Sequence, residues 1–314
     1  MHLLCNRGDA SILVEMKNRI IIYLLLIMLN SCSFNSNQNL LGDDFRLFEN
    51  TKAWPLAIAV KKENIAEIKK QIVCQKIPVD FKEKKYGQTL LMLAVRNNKE
   101  KAVAELLSLG ANPNITDSKN KSCGQNSVLM ASRFSKPSTN ILKLLLEFGG
   151  NPNSTECGKT KDNLGNDVKA KSFALYEAVF IDFEKVKLLI AKGADVNYQT
   201  DTTIGGAAEA TFFADRMDIL YFLINHGYNV HSKFSEINLS NSSSIDVDIC
   251  YKLRYCIYPI NSLQFKYKLL VINELSKHGI NYKSSKIPTD AINIIKNDKQ
   301  LYRSIGFDNY LKMY

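Results

Sequence analysis

The stretch from Tyr86 to Asn114 most constrains the fold, because it contains two short apolar helical patterns closed by a turn sequence. Thr89 can cap a first helix over the apolar residues 90–95, and a second apolar pattern follows. That second pattern ends at Gly110, where a helix C-terminus favours a left-handed residue, and residues 112–114 (Asn-Pro-Asn) continue as an extended turn. Neither short helix can bury its apolar face alone. The stretch therefore predicts a stack of similar helix pairs.

The same stretch resembles an ankyrin repeat, a unit of roughly 33 residues that reads G-x-T-P-L-x-x-A-A and then V-x-x-L-L-x-x-G-A-D-x-N. The matching residues are Gly87, Gln88, Thr89, Leu91, Ala94, Val103, Leu106, Leu107, Gly110, Ala111 and Asn112, and Leu90 stands where the family has Pro. The resemblance implies an all-α fold, an ankyrin-repeat solenoid of stacked helix-turn-helix units with β-hairpin loops.

Further copies of the pattern follow along the chain, and the strongest is the ending Gly193-Ala194-Asp195-Val196-Asn197. We expect Leu106 and Leu188 to lie between stacked second helices. The insertions between repeats, at residues 115–125, 154–171 and 231–261, fall on the hairpin side of such a stack. The predicted repeat domain is 51–284, with repeats at about 51–84, 85–117, 126–156, 171–200, 203–233 and 260–283, and residues 285–314 are predicted to form C-terminal capping helices.

The N-terminal part has the layout of a secretory signal. We interpret residues 1–15 as a mis-called extension, because Met16 opens a basic segment that an apolar run at 20–29 follows. Residues 29–32 (Leu-Asn-Ser-Cys) resemble a bacterial lipobox, which implies a lipoprotein signal peptide at 16–31, acylation of Cys32 and a flexible tether at 32–50. Ser33 after that cysteine implies the outer membrane. An uncleaved anchor or a plain secretory signal is the alternative.

Composition restricts the function classes. The formal net charge of +10 comes from lysines spread over the chain, so it favours solubility or an acidic partner over nucleic-acid binding. A purely solvated lysine surface explains it equally well. Cys123 with Cys157, and Cys250 with Cys256, could form disulfides in an oxidising compartment, and free thiols are the alternative. The sequence predicts no metal site and no cofactor, since it lacks a C-x-x-C pair.

The sequence gives little support for catalysis. His226 and His278 both precede a turn glycine, and this repeated placement indicates a structural role, so we predict no catalytic residues and no enzyme activity. An enzyme with a site in the 231–261 insertion remains an alternative, as does a structural envelope protein. Ankyrin stacks commonly grip proteins on a concave surface, so the resemblance implies a protein–protein interaction module.

We predict that partner contacts come from the hairpins and first helices, while Lys143 and Lys187 on second helices face away. The protein is expected to be a monomer, lipid-anchored in the bacterial cell envelope at the outer membrane and facing the periplasm. Some periplasmic ankyrin lipoproteins are thought to neutralise a toxin or phospholipase, and this immunity role is the alternative function. The candidate partner-binding residues, which we expect to be exposed, are Arg133, Tyr198, Phe212, Phe213, Lys119, Lys121, Lys159 and Lys161.

Overall fold

The computed structural model describes residues 40–117, 124–156, 160–161, 167–168, 172–199, 205–237 and 244–314. All the helices and strands given below lie in the compact unit Gly42–Tyr314. A short 3-10 helix, Phe45–Phe48, precedes the first helix pair, and its two phenylalanines are buried.

Helices in successive pairs dominate the described part of the chain. Each pair consists of a first helix and a second helix, and the second helix of the first pair continues as one turn of π-helix, Lys70–Cys74. The pairs are α1 Trp54–Lys62 and α2 Ile65–Lys69, α3 Leu90–Arg96 and α4 Glu100–Ser108, α5 Ser127–Arg133 and α6 Thr139–Glu147, α7 Ala174–Ile181 and α8 Phe183–Ala191, α9 Ala207–Phe213 and α10 Met217–Ile224, and α11 Ile249–Tyr255 and α12 Leu263–Lys277. Two further helices, α13 Thr289–Asn297 and α14 Phe307–Met313, follow them.

Local signals start and end these helices. Thr89 Oγ1 accepts a hydrogen bond from the Met92 amide at 3.4 Å, and Asn126 Oδ1 accepts one from Leu129 at 2.9 Å, so both side chains cap first helices as their residue types favour. After the second helices the chain turns at five equivalent glycines, all with φ between 77° and 93°. They are Gly110, Gly149, Gly193, Gly227 and Gly279. Only glycine adopts that conformation without strain.

An asparagine ladder connects the turns of neighbouring repeats. Asn114 Nδ2 donates to the carbonyl oxygen of Gly149 at 2.8 Å, and its Oδ1 accepts from the Asn151 amide at 2.8 Å. Asn153 makes the same two bonds to Gly193 and Asp195, and Asn197 makes them to Gly227 and Asn229. One side-chain amide thus satisfies a donor and an acceptor of the next turn, which fixes the spacing of the repeats.

Short antiparallel strands lie ahead of the later first helices. Strand β1 Thr155–Glu156 pairs with β4 Ser172–Phe173, β2 Thr160–Lys161 with β3 Asp167–Val168, and β5 Phe234–Ile237 with β6 Ser244–Val247. Single bridges join Thr116 to Asn126 and Gln199 to Gly206. We call the side of the stack formed by these hairpins and the first helices the first-helix face.

The last repeat begins earlier than the sequence predicts. Residues 231–261 were expected to be an insertion, yet they hold the β5–β6 hairpin and the first helix α11, which Asp248 caps through the Tyr251 amide at 2.8 Å. The charged residues Lys252 and Arg254 interrupt the apolar pattern of this helix, although both are buried. The last pair is therefore complete.

The core consists of the apolar sides of stacked helices. Lys185 on α8 lies within it, and its Nζ donates to the carbonyl oxygens of Ala131 at 2.8 Å and Phe134 at 3.0 Å, which satisfies the C-terminus of α5. Leu106 is fully buried, as predicted, whereas Leu188 is partly exposed and its neighbour Leu189 fills the interior instead.

This difference gives a test of the helix register. Leu106→Ala should lower the free energy of unfolding by roughly 2–5 kcal/mol, because it leaves a cavity between stacked helices. Leu188→Ala removes the same atoms from a partly exposed position and should cost less than about 1 kcal/mol. Urea unfolding followed by circular dichroism measures both, and equal losses would show that the register of α8 is wrong.

Asp80→Asn should extend the ladder by one hydrogen bond. Asp80 holds the ladder position of the first repeat, where its Oδ1 accepts from the Asn112 amide at 3.1 Å, but its carboxylate cannot donate to the Gly110 carbonyl oxygen. An asparagine can do both. We expect the free energy of unfolding at neutral pH to rise by about 1 kcal/mol, measured by urea unfolding.

The pH dependence checks the cause of that gain. Burial raises the pKa of the Asp80 carboxyl, so the folded protein binds this proton more tightly than the unfolded chain does. The wild type therefore gains stability from this group as the pH falls through the raised pKa, whereas the Asn variant does not. The advantage of Asp80→Asn should shrink between neutral pH and about pH 4; an advantage that grows on acidification would contradict the explanation.

Candidate binding face on the first helices

One equivalent position of the first helices changes from a basic to an aromatic side chain along the stack. From the second repeat on, the seventh residue after the N-cap of each first helix is Arg96 in α3, Arg133 in α5, Phe180 in α7, Phe213 in α9 and Tyr255 in α11. The position thus changes from basic to aromatic along the stack. Because the helices stack in register, these side chains fall on one side of the molecule.

The aromatic part of this series is solvent-exposed. Phe213 is 63% exposed, Phe180 43% and Tyr255 40%, which is unusual for large apolar side chains. Two of the rings are supported by a neighbour on their own helix: Tyr176 lies 5.3 Å from Phe180, and Tyr251 lies 5.3 Å from Tyr255, between ring centroids. Such supported rings lose little conformational freedom on binding. We call Phe180, Phe213 and Tyr255 the aromatic series.

Arg133 differs from its prediction as an exposed contact. Its guanidinium is half-buried and forms ion pairs with Glu156 of the β1 strand and with Glu177 of α7, the latter at 2.8 Å. Ser172 donates a hydrogen bond to the same Glu177 carboxylate. Both acceptors lie far along the sequence, so the apolar pattern gives no sign of them. Arg133 therefore connects a hairpin and two first helices.

A second ion cluster likewise joins one cation to a glutamate on a neighbouring first helix and to a glutamate on a hairpin strand. Lys252 of α11 lies 3.2 Å from the Glu209 carboxylate on α9 and also pairs with Glu236 of the β5 strand. Burial raises the pKa of Glu209, against the lowering effect of Lys252. The ammonium group lies 5.6 Å from the centre of the Phe213 ring, so the cluster also supports the aromatic series.

The other predicted contacts are spread over the hairpin bases. Tyr198 is partly exposed and packs edge-on against Phe173 at 4.9 Å, and Phe212 is partly exposed and packs edge-on against Phe234 at 5.6 Å. Phe213, as predicted, is exposed. The backbone of Lys161 belongs to strand β2. Lys119, Lys121 and Lys159 lie outside the described residues, as do Cys32, Cys123 and Cys157.

The predicted Cys250–Cys256 disulfide is wrong. Both cysteines are free and buried, and burial raises the pKa of each thiol to about 11. Cys250 lies in the first turn of α11 and Cys256 caps its end. Their Cα atoms are therefore about 9 Å apart along the axis, beyond the roughly 7 Å that a disulfide can span.

Two members of the aromatic series were missed by the sequence analysis. Phe180 and Tyr255 carry no motif of their own, and α11 was not predicted as a helix. Phe180 could have been found by counting seven residues from the N-cap Phe173, because the sequence predicts a repeat there. Tyr255 requires the helix start at Asp248, which the hairpin ahead of it conceals.

The described residues show no arrangement suited to metal chemistry, since no three His, Cys, Asp or Glu side chains among them are grouped to hold a metal ion. His226 Nδ1 lies 2.8 Å from the Phe222 carbonyl oxygen, and its ring stacks on Phe222 at 3.8 Å, as expected of a structural residue at a helix end. No helix in the part of the chain that the structure covers is long and apolar enough to cross a membrane.

Comparison with known proteins agrees with this architecture. Residues 12–117 match the family model described as ankyrin repeats, in three copies, and the matched range ends with the second predicted repeat. No curated protein matches the chain. Ankyrin repeats are generally protein–protein interaction modules and are typically not enzymes. The match, which covers about a third of the chain, and the stacked helix pairs together confirm the predicted fold class, an all-α ankyrin-repeat solenoid.

Proposed function

We propose that the chain is a lipid-anchored protein of the bacterial envelope that binds a protein partner through its first-helix face. The exposed aromatic series carries the binding part of this proposal. Three large rings are exposed at equivalent positions of consecutive first helices, and exposed apolar surface of this kind is typical of interaction sites. Interface energy concentrates in such aromatic anchors, particularly where neighbouring groups hold them in place.

The chemistry of the face suggests the chemistry of its partner. Apolar rings at Phe180, Phe213 and Tyr255 favour a partner that presents apolar side chains at the centre of its contact surface. The net charge of +10 favours acidic residues around that centre, which would accelerate association and make it dependent on salt. We therefore expect a protein with an apolar patch surrounded by Asp and Glu side chains.

The anchoring part of the proposal rests on the sequence of the N-terminal segment. Acylation of Cys32 after removal of residues 16–31 would attach the chain to a membrane, and the Asn- and Ser-rich residues 33–39 would act as a tether. Ser33 favours the outer membrane, with the repeats in the periplasm. A tethered module samples a high local concentration of partners in the same compartment.

Affinity capture of the mature protein from its native envelope, followed by mass spectrometry, tests the binding part. With the captured partner in hand, Phe213→Ala and Phe180→Ala should each weaken binding about 30-fold, because an anchor of this kind contributes roughly 2 kcal/mol. Isothermal titration measures the change. Both side chains are exposed, so these variants should fold as the wild type does.

Leu263→Ala provides the matched control. Leu263 is also 63% exposed but begins the second helix α12 and lies outside the aromatic series. Its removal, like Lys143→Glu or Lys187→Glu on other second helices, should leave the dissociation constant unchanged. Weaker binding in these controls together with wild-type binding by Phe213→Ala would refute the first-helix face as the binding surface.

Cys32→Ser should abolish anchoring, because the thiol is the group that would take the diacylglycerol. We expect the variant to leave the membrane fraction or to remain unprocessed, and the wild-type N-terminal peptide to carry the mass of a lipid. Membrane partitioning that is the same in both proteins, with no lipid mass on the wild type, would exclude the lipoprotein interpretation while leaving the binding face untouched.

The identity of the captured protein decides between a general interaction module and the alternative role. A secreted toxin or phospholipase among the specific partners, inhibited by the wild type and not by Phe213→Ala, would assign an immunity function. Capture of a resident envelope protein without enzyme activity would instead favour a scaffolding role.

A further inference from the structure

A cavity of about 450 Å³ lies beside the last helix pair, and no residue of the aromatic series lines it. Its walls come from α12, from the 3-10 turn Tyr282–Ser284 and the residues after it, and from the end of α14. The volume falls within the range of small-ligand sites. Arg254 lines the cavity from the first helix α11 and is buried, and the other lining residues lie outside the first helices.

The charged residues that line this cavity are all basic. They are Arg254, Lys283 and Lys312, and no acidic residue lines the cavity. None of the three forms an ion pair with a carboxylate side chain within the described ranges. Lys283 and Lys312 are exposed, so their charges can reach a ligand at the mouth of the cavity. The site therefore presents unpaired positive charge.

Arg254 is the buried member of this group, at 3% exposed. Its Nη atoms donate to the main-chain carbonyl oxygens of Tyr314, Tyr282 and Ser285 at 2.8–2.9 Å, while its Nε has no partner among the residues that the structure describes. These main-chain oxygens hold the guanidinium in place beside the cavity. A buried donor without an acceptor is costly, so the unsatisfied Nε makes an acceptor such as an anionic oxygen favourable nearby.

A fourth cation lies behind the Tyr314 ring. Lys268 is 1% exposed, and its Nζ is 3.7 Å from the centre of that ring and 2.8 Å from the Cys256 carbonyl oxygen. Burial, together with the nearby Arg254 charge, lowers its pKa to about 7. Together with Arg254, Lys283 and Lys312, Lys268 makes this end of the stack rich in basic side chains.

Apart from Ser285, the rest of the cavity lining consists of aliphatic side chains and tyrosine rings. Leu269, Ile272, Ile287, Leu311 and Met313 contribute aliphatic side chains, and the Tyr282 and Tyr314 rings complete the wall. An inorganic anion would leave this surface in contact with water, whereas an alkyl chain would cover it at a gain of about 0.8 kcal/mol for each buried methylene group. The lining therefore fits a molecule with an anionic end and an apolar body.

We propose that this cavity is a binding site for a single-chain amphiphile with one anionic head group. Arg254, Lys283 and Lys312 bind the head group, and the aliphatic wall binds the alkyl chain. Carboxylate and phosphate head groups share the required charge, and a free fatty acid and a lysophospholipid are two sources of this chemistry.

Titration of the full chain with decyl phosphate and with decanoate, below their micelle concentrations, tests the proposal. We expect saturable binding of at least one of them, with the better ligand identifying the source. Butyl phosphate should bind more than tenfold less tightly, because it buries fewer methylene groups. Inorganic phosphate that binds as tightly as decyl phosphate, or neutral decyl maltoside that binds as tightly as either anion, would overturn the proposal.

Variants of the exposed lysines assign the site without risk to the fold. The double change Lys283→Glu with Lys312→Glu should raise the dissociation constant of the better anion at least tenfold, since it reverses two charges at the mouth. The matched control, Lys266→Glu with Lys299→Glu, makes the same charge change at exposed lysines outside the cavity lining and should bind as the wild type does. Equal losses in the two double variants would show only general charge attraction, and wild-type binding by the first would exclude the cavity.

Discussion

The asparagine ladder is the interaction on which the spacing of the repeats depends. Asn114, Asn153 and Asn197 each donate to one turn glycine and accept from the turn residue two positions later. The ladder joins turns directly, so it does not depend on how many residues the chain spends between one turn and the next helix. This explains how repeats with insertions of different lengths keep a common stack, and why the insertions can become hairpins on the first-helix face.

The two ion clusters hold the hairpins in position against the first helices. In each, a cation on one first helix pairs with a glutamate on a neighbouring first helix and with a glutamate on the hairpin between them: Arg133 with Glu177 and Glu156, and Lys252 with Glu209 and Glu236. A short two-stranded hairpin is marginal by itself, so a partly buried ion pair at its base contributes to its orientation. Phe213 of the aromatic series lies next to the Lys252 cluster and gains support from its ammonium group.

Local signals in the sequence were sufficient for most of the fold. Capping residues such as Thr89, the turn glycines and the apolar spacing act over a few residues, so they can be read from one stretch at a time. Properties that depend on distant residues could not be read in this way. Arg133 looked exposed because Glu177 is remote in sequence, and α11 was missed because Lys252 and Arg254 are buried only through partners elsewhere. Leu188 and Leu189 differ by a rotation of one residue, which a short apolar run does not resolve.

The last helix pair shows what replaces the ladder where it ends. His231 stands at the ladder position of the fifth turn, and imidazole cannot offer the paired donor and acceptor of an amide to one neighbouring turn. The final pair is instead fixed by single side-chain bonds, such as Gln264 Oε1 accepting from the Met217 amide at 3.0 Å, and by the buried cations Arg254 and Lys268. Buried cations cost solvation energy that an amide ladder does not. Arg254 also lines the cavity, so the side chains that fix the last helix pair in place of the ladder give this end of the stack a chemistry that follows from the loss of the amide ladder.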